Sequence, residues 1–278
     1  MTQPRPIVTL LTDFGEQDDY VGAMKGVILS IAPDAHIVDI SHQVAPQNIL
    51  QAASILDNVY RYYPAHTVHV VVVDPGVGSA RQPIALQTAR GTFVAPDNGV
   101  LTPVRAKEQG WKAIILNKPD YWLPSPSNTF HGRDIFSPVA AHLASGVAFE
   151  KLGQTVSDIV ALTMPSLTIA AKTIKGEVTR IDSFGNALTN IAPLRWVDDH
   201  TLEFTGGDVP VRIDARTTRV VCGWHTVDGI HQNYSQVVAG QALAVVGSSS
   251  ELEIAVSQGN ASEQFAIQAS SPVTLRFD

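Results

Sequence analysis

Val68-His69-Val70-Val71-Val72-Val73 is apolar at every position but one, and it stops at Asp74-Pro75-Gly76. A strand with one wet face alternates polar and apolar residues. A near-continuous run suits a strand covered on both faces, as in a parallel sheet with helices above and below. The flanking segments supply such helices. Ile7 to Leu11 is a second short apolar run. Tyr20 to Ile31 carries Val21, Met24, Val27, Ile28 and Ile31 at helical spacing and is stopped by Pro33. His36 to Ile40 reads as a strand, and Gln47 to Tyr63 as a helix stopped by Pro64. Further strands are expected at Ile84 to Leu86, Thr92 to Ala95 and Ala113 to Leu116, then a closing helix over Asp134 to Ser145. This alternation predicts an α/β domain over residues 1–163, its mostly parallel sheet flanked by helices.

The texture changes after Val160. Residues 164–173, with Met164-Pro165-Ser166, read as a linker. Residues 174–278 carry short β-rich segments separated by turn signals: Phe184-Gly185-Asn186, Gly206-Gly207-Asp208, Asp228-Gly229. No helical period is sustained there, which predicts a smaller all-β barrel domain. A chain of 278 residues has room for both.

Charge and cysteine content remove several function classes. The formal net charge is −7, divided as −3 up to residue 170 and −4 beyond it. Neither half offers a basic patch, so neither nucleic acid nor an anionic membrane is an expected partner. The single cysteine, Cys222, excludes a disulfide framework or a multi-cysteine zinc site and points to a reducing compartment. The first residues lack the pattern of a signal peptide, and no apolar stretch approaches the ~20 residues that span a bilayer. A cytoplasmic location is the expectation. His66 and His69 should face opposite ways on a strand, with no acidic residue placed to complete a zinc set, so no metal is expected.

Polar residues gather where strands end, the rim at which open α/β sheets bind ligands. Thr12-Asp13-Phe14-Gly15 is followed by Asp18 and Asp19; Asp74-Pro75-Gly76-Val77-Gly78 by Arg81; Phe130-His131-Gly132-Arg133-Asp134 by a helix. Asp97-Asn98-Gly99 is a fourth such cluster. Asp13 could accept from a ribose diol or simply shape a turn. Asp18 or Asp19 could cap the next helix. Asp74 and Arg81 read either as an ion pair or as a functional pair. Their segment lacks both the Gly-Lys-Ser/Thr of a phosphate loop and the third glycine of a dinucleotide fingerprint. Arg133 and Asp134 read as a cap or an ion pair, while His131 sits in a polar loop rather than in an apolar period. No Gly-x-Ser-x-Gly elbow is present. In the β-rich part, Phe184 offers a stacking face and Asn186 a donor–acceptor pair for a purine edge. Gly247-Ser248-Ser249-Ser250-Glu251 could clasp a carboxylate or an ammonium; each is otherwise a plain hairpin turn. Tyr60, Tyr62, Trp111 and Trp122 read as packing residues.

Taken in order, these segments resemble the S-adenosylmethionine (SAM) hydrolase family, the SAM hydroxide adenosyltransferases, relatives of the SAM-dependent fluorinase and chlorinase. The stretches that carry the resemblance begin with Leu11-Thr12-Asp13-Phe14-Gly15, Asp18-Asp19-Tyr20-Val21-Gly22, and Val73-Asp74-Pro75-Gly76-Val77-Gly78 with Arg81. They continue with Ala95-Pro96-Asp97-Asn98-Gly99, Thr129 to Asp134, Ile181 to Asn186 with Thr189-Asn190, and Gly247-Ser248-Ser249. The resemblance implies an N-terminal α/β domain, a C-terminal β-barrel, and a homotrimer with active sites between subunits. It implies cleavage of SAM by water at the ribose C5′, giving adenosine and L-methionine, with SAM as substrate and no cofactor. The triad it implies is Asp74, Arg81 and His131. Asp13 falls to the ribose hydroxyls, Phe184 and Asn186 to the adenine, Asp182 to the methionine ammonium, Ser248 and Ser249 to its carboxylate, and Asp18 near the methionine end. A halogenase would need small residues where Arg81 and His131 stand, and a non-catalytic adenosine- or SAM-binding regulator could dispense with the triad. Those two remain the alternatives.

Overall fold

The computed structural model describes residues 5–278. The chain divides into two compact units, Met1–Thr163 and Met164–Asp278.

The first unit runs β1 (Ile7–Thr12), α1 (Tyr20–Ile31), β2 (His36–Ser41), α2 (Ile49–Val59), β3 (Val68–Val72), β4 (Pro83–Thr88) and β5 (Gly91–Pro96). It continues through α3 (Thr102–Lys107), β6 (Lys112–Ile115), α4 (Ser137–Ala144) and β7 (Gln154–Val156). The sheet order is β2-β1-β3-β5-β4-β6-β7. Pairing is parallel from β2 to β5 and antiparallel from β5 to β7. The sheet is therefore mixed, because β4 and β5 form a hairpin rather than a crossover.

The valine run is covered on both faces, as its composition requires. Val68, Val70 and Val72 pack with Met24 and Ile28 of α1 and Val139 and Ala140 of α4. Val71 and Val73 pack with Ala52, Ala53 and Leu56 of α2 and Val104 of α3. His69, the one polar member, is fully buried. Its Nδ1 is 2.8 Å from Thr9 Oγ1, and its ring stacks on Phe93 with centroids 4.9 Å apart. Burial lowers its pKa to about 4, so the ring is neutral. His66 lies exposed, away from it.

Three local expectations are corrected. Asp19 stands at the start of α1, but its side chain makes no capping bond, and Asp18 is exposed; the helix starts on the backbone bond from Ala23 N to Asp19 O, 2.8 Å. The second helix ends at Val59 and tightens into a 3₁₀ turn over Tyr60–Tyr62. That tightening leaves Tyr60 buried but turns Tyr62 outward, 83% exposed, so Tyr62 is not a packing residue. Trp111 and Trp122 do pack against the cores. The closing helix opens with a π-helical turn, Gly132–Phe136, where Ser137 N donates to Gly132 O.

The second unit contains β8 (Thr168–Ala170), β9 (Thr173–Ile181), β10 (Ala187–Thr189), β11 (Leu194–Trp196), β12 (Thr201–Phe204) and β13 (Val211–Asp214). After these come β14 (Arg219–Cys222), β15 (His225–Asp228), β16 (Ala242–Val246), β17 (Leu252–Val256), the short helix α5 (Ala261–Phe265) and β18 (Pro272–Arg276). An antiparallel sheet runs β15-β14-β18-β9-β10-β17-β16, with β8 alongside β9; β11-β12-β13 form a separate sheet. His231, just past β15, bridges to Val245 on β16, so the large sheet curls nearly into a barrel. Ile174, Val178, Val220, Leu252, Ile254 and Leu275 fill its interior. β8 falls within the stretch expected as linker. α5 is a single short turn of helix, too brief to leave a sustained period in the sequence.

Candidate active site

In the first unit, strand direction brings distant residues to one rim. β1, β3 and β5 run parallel and end together: Thr12 pairs with Val72, and Val70 with Val94. β4 runs against β5, with Pro83 opposite Pro96, so the start of β4 lies at the same rim. Asp13, Asp74, Arg81 and Asp97 therefore share one end of the sheet.

Asp74, Arg81 and His131 are hydrogen-bonded in series. Arg81 grips Asp74 with both ends of its fork: Nε donates to Oδ1 at 3.1 Å and Nη2 to Oδ2. Nη2 also donates to His131 Nδ1 at 3.1 Å. A guanidinium can only donate, so Nδ1 is the acceptor and the neutral ring carries its proton on Nε2. The Asp74 and Arg81 side chains are almost entirely buried, and Arg81 Nη1 has no acceptor among the described residues. Burial raises the Asp74 pKa even though Arg81 pulls it down. Burial and the neighbouring Arg81 charge lower that of His131.

Backbone geometry explains how the sequence holds this chain of groups. The segment from Asp74 to Arg81 presses on the loop carrying His131. At Gly78, φ is +76° and a Cβ would lie 2.4 Å from Asn128 O, so only glycine fits. The His131 loop is tied down by Asp134, which accepts from Ser127 N at 2.8 Å and pairs with Arg133 at 2.7 Å. Asp134 and Arg133 are thus an ion pair, one of the two readings open from sequence. The π-helical turn that follows His131 is a feature often found at functional sites.

Asp13 is half-buried, with Oδ2 accepting from Gln47 N at 2.7 Å and Oδ1 without a hydrogen-bond partner among the described residues. Asp97 accepts from Val160 N, and burial raises its pKa. Among the described residues, no group of three or more His, Cys, Asp or Glu is placed to hold a metal ion.

In the second unit, Asp182, Phe184, Asn186, Ser248 and Ser249 all line one cavity of about 870 Å³. Phe184 is 75% exposed, a ring with an open face. Asn186 is buried, and its Nδ2 donates to Asp182 Oδ2 at 3.0 Å. Asp182 Oδ1 accepts from the backbone N–H of Phe184 and Asn186 at 2.9 and 2.8 Å. Asp182 therefore shapes the turn that presents its neighbours. The same cavity holds Glu253 and Tyr234, which sequence reasoning missed, and Glu251, read only as part of a polar turn. The available signal was two acidic residues flanking Leu252 in an otherwise apolar strand, a spacing that puts both on one face.

Residues 8–153 match the family model for the SAM hydroxide adenosyltransferase N-terminal domain, and residues 176–274 that for its C-terminal domain. The chain belongs to the SAM hydroxide adenosyltransferase family. It is 35% identical to the (R)-S-adenosyl-L-methionine hydrolase of Thermus thermophilus, over 98% of this chain and 99% of that protein. It is 33% identical to the fluorinase of Nocardia brasiliensis, over 67% of this chain and 71% of that one. A crystal structure of an uncharacterised conserved protein from Thermotoga maritima superposes with a TM-score of 0.85 at 33% identity, covering 97% and 99% of the two chains. Among the described residues, no helix is long and apolar enough to cross a membrane.

Proposed function

We propose that the protein hydrolyses S-adenosyl-L-methionine to adenosine and L-methionine, with water attacking the ribose C5′. The observation that carries this reading is the linked Asp74–Arg81–His131 set, which leaves a buried guanidinium donor without an acceptor.

The chemistry fits the groups. Methionine leaves as a neutral thioether, so no general acid is needed. Water is the weak partner, with a pKa near 15.7. Arg81 and His131 hold its oxygen and favour the negative charge that develops there, as preorganised donors do in a water-poor site. Asp74 fixes the guanidinium. As the anion of the set, with a pKa raised by burial, it is the group able to accept the proton. The reaction needs the water in line with the C5′–S bond, ~3–3.5 Å from carbon.

Asp13 accepts from the ribose hydroxyls, Phe184 stacks on the adenine beside Asn186, and Ser248 and Ser249 take the methionine carboxylate. Asp182 and Asp18 belong to the methionine end. The active form is a homotrimer with active sites between subunits, no cofactor takes part, and the protein works in the cytoplasm. The family resemblance supports the trimer and the absence of a cofactor, and the single cysteine, Cys222, supports the location.

The test is chromatography with mass detection on purified protein and SAM, with and without chloride, beside Arg81→Ala. Adenosine and methionine forming with the wild type, and about 10²–10³-fold more slowly with the variant, is the expected result. A 5′-chloro product would move the chemistry to the halogenases. Bound adenosine without turnover would make the protein a binder.

A further inference from the structure

The second-unit cavity contains a charge arrangement that the assignments above do not use. Glu251 and Glu253 sit two residues apart at the start of β17, and both are more than nine-tenths buried. Their carboxylates converge over Gly247. A Cβ there would stand 3.1 Å from Glu253 Oε2 and 3.4 Å from Glu251 Oε1. Glu253 Oε1 accepts from Tyr234 Oη at 2.5 Å. Glu251 Oε2 has no partner at all among the described residues. Asp182 is close enough to act on Glu253 electrostatically, and Arg180 is the one cation among the lining residues. It makes no ion pair with either glutamate among the described residues.

Two adjacent buried carboxylates without a counter-charge are costly. A ligand that brings a positive charge and several donors removes that cost. An ammonium does both, with three N–H donors on one centre. The neutral exocyclic amine of adenine supplies donors without charge. Position points the same way. The turn from Gly247 to Glu251 is closed by Gly247 N to Glu251 O at 2.8 Å, and its Ser248 and Ser249 line the same cavity as the two glutamates. An α-amino acid bears its ammonium and its carboxylate on a single carbon, so their partners must lie within a few ångströms of each other. Asp182, the residue the family resemblance assigns to the ammonium, already spends three acceptor positions on its own turn.

We propose that Glu251 and Glu253 form the acceptor pair for the α-ammonium group of the substrate's methionine half. The pair works with the serines of the same turn, which take the carboxylate. This rests on the SAM hydrolase reading and adds specificity-determining residues to it. Gly247 belongs to the device, because any side chain there would wedge between the carboxylates and the turn.

The test combines steady-state SAM hydrolysis with calorimetry on wild type, Glu251→Gln and Glu253→Gln. The calorimetric probes are L-methionine and 4-methylthio-2-oxobutanoate, each in saturating adenosine, and adenosine alone. The glutamine variants keep shape and remove charge. Glu251→Gln is expected to raise the KM for SAM by about tenfold or more with kcat little changed, since a hydrogen bond to a charged group is lost. It should weaken L-methionine to the same degree while leaving adenosine and the oxo acid as they were. An unchanged KM, or an equal loss on adenosine, overturns the assignment. If Glu251→Gln does not fold, Glu253→Gln carries the same comparison. A wild type that does not hydrolyse SAM refutes the hydrolase reading alone. The site is still judged by whether the wild type prefers L-methionine to the oxo acid, and no preference overturns it.

Discussion

At the scale of single residues, the triad's protonation states set its pH behaviour. Asp74 is raised from the usual carboxylate value of 3.8, and His131 is lowered from the usual imidazole value of 6.5. Both are in working form at neutral pH: Asp74 ionised, His131 neutral and accepting from Arg81. As pH falls below 6.5, His131 protonates, loses its acceptor and repels the guanidinium. The profile of kcat/KM against pH should therefore be flat through neutrality and fall only below 6.5. An acid limb centred at 7 or higher would contradict the Arg81–His131 bond. Asp13 makes a separate prediction. Asp13→Ala should weaken adenosine by about ten- to a hundredfold, since a charged acceptor is removed from the diol. The same substitution should cost little with 2′,3′-dideoxyadenosine, which has no hydroxyls to lose. Equal losses on the two nucleosides would mean that Asp13 only holds the backbone at Gln47.

At the scale of elements, the sequence was most legible where burial leaves no choice of pattern. The valine run could only be a strand covered on both faces, and β3 is one. Boundaries were less legible. Nothing in Tyr60-Arg61-Tyr62 reveals that α2 tightens after Val59, because the 3₁₀ turn satisfies the same local hydrogen bonding with a different side-chain direction. Glu251 and Glu253 were hard to read for another reason. An acidic residue in a strand ordinarily marks a solvent face, and only the packed structure shows these two turned into a cavity. His69 shows the cost of a polar residue in a buried strand. Its pKa is about 4 in the folded protein, against 6.5 when exposed. Above pH 6.5 the ring is neutral in both states. As pH falls from 6.5 towards 4, the unfolded chain takes a proton that the folded one refuses, and up to about 3 kcal/mol of stability is lost. Urea unfolding at pH 7 and pH 4.5 should show a larger drop for the wild type than for His69→Gln. Equal drops would place the acid sensitivity elsewhere.

At the scale of the whole molecule, the two units carry different groups of candidate residues. The first carries Asp13 and the triad, and the second the cavity with Phe184, Ser248, Ser249 and the glutamate pair. Apart from Glu253, each group of residues was visible in sequence as a polar cluster at a turn or strand end. Their assembly into one site between subunits is an expectation of the family resemblance alone, since no local pattern encodes a subunit contact. The proposed trimer predicts a solution mass of about three times 29.8 kDa by sedimentation. Mixing Arg81→Ala and Phe184→Ala proteins under subunit exchange should then raise turnover above that of either variant alone. A monomer of full activity would refute the shared site.

The hairpin that reverses β4 has a consequence for how such a scaffold can diversify. The chain leaves the sheet after β3 and re-enters it at β4 on the same rim, so Arg81 reaches Asp74 through only six intervening residues, Pro75 to Ala80. The guanidinium is on a short tether whose anchors belong to the core and whose span does not. Residues inserted into it would leave Arg81 anchored at the start of β4 and every strand pairing intact, yet would break the close approach of Gly78 to Asn128 beside the His131 loop. The length of this one tether therefore bears on the alignment of Asp74, Arg81 and His131 rather than on the sheet that carries them.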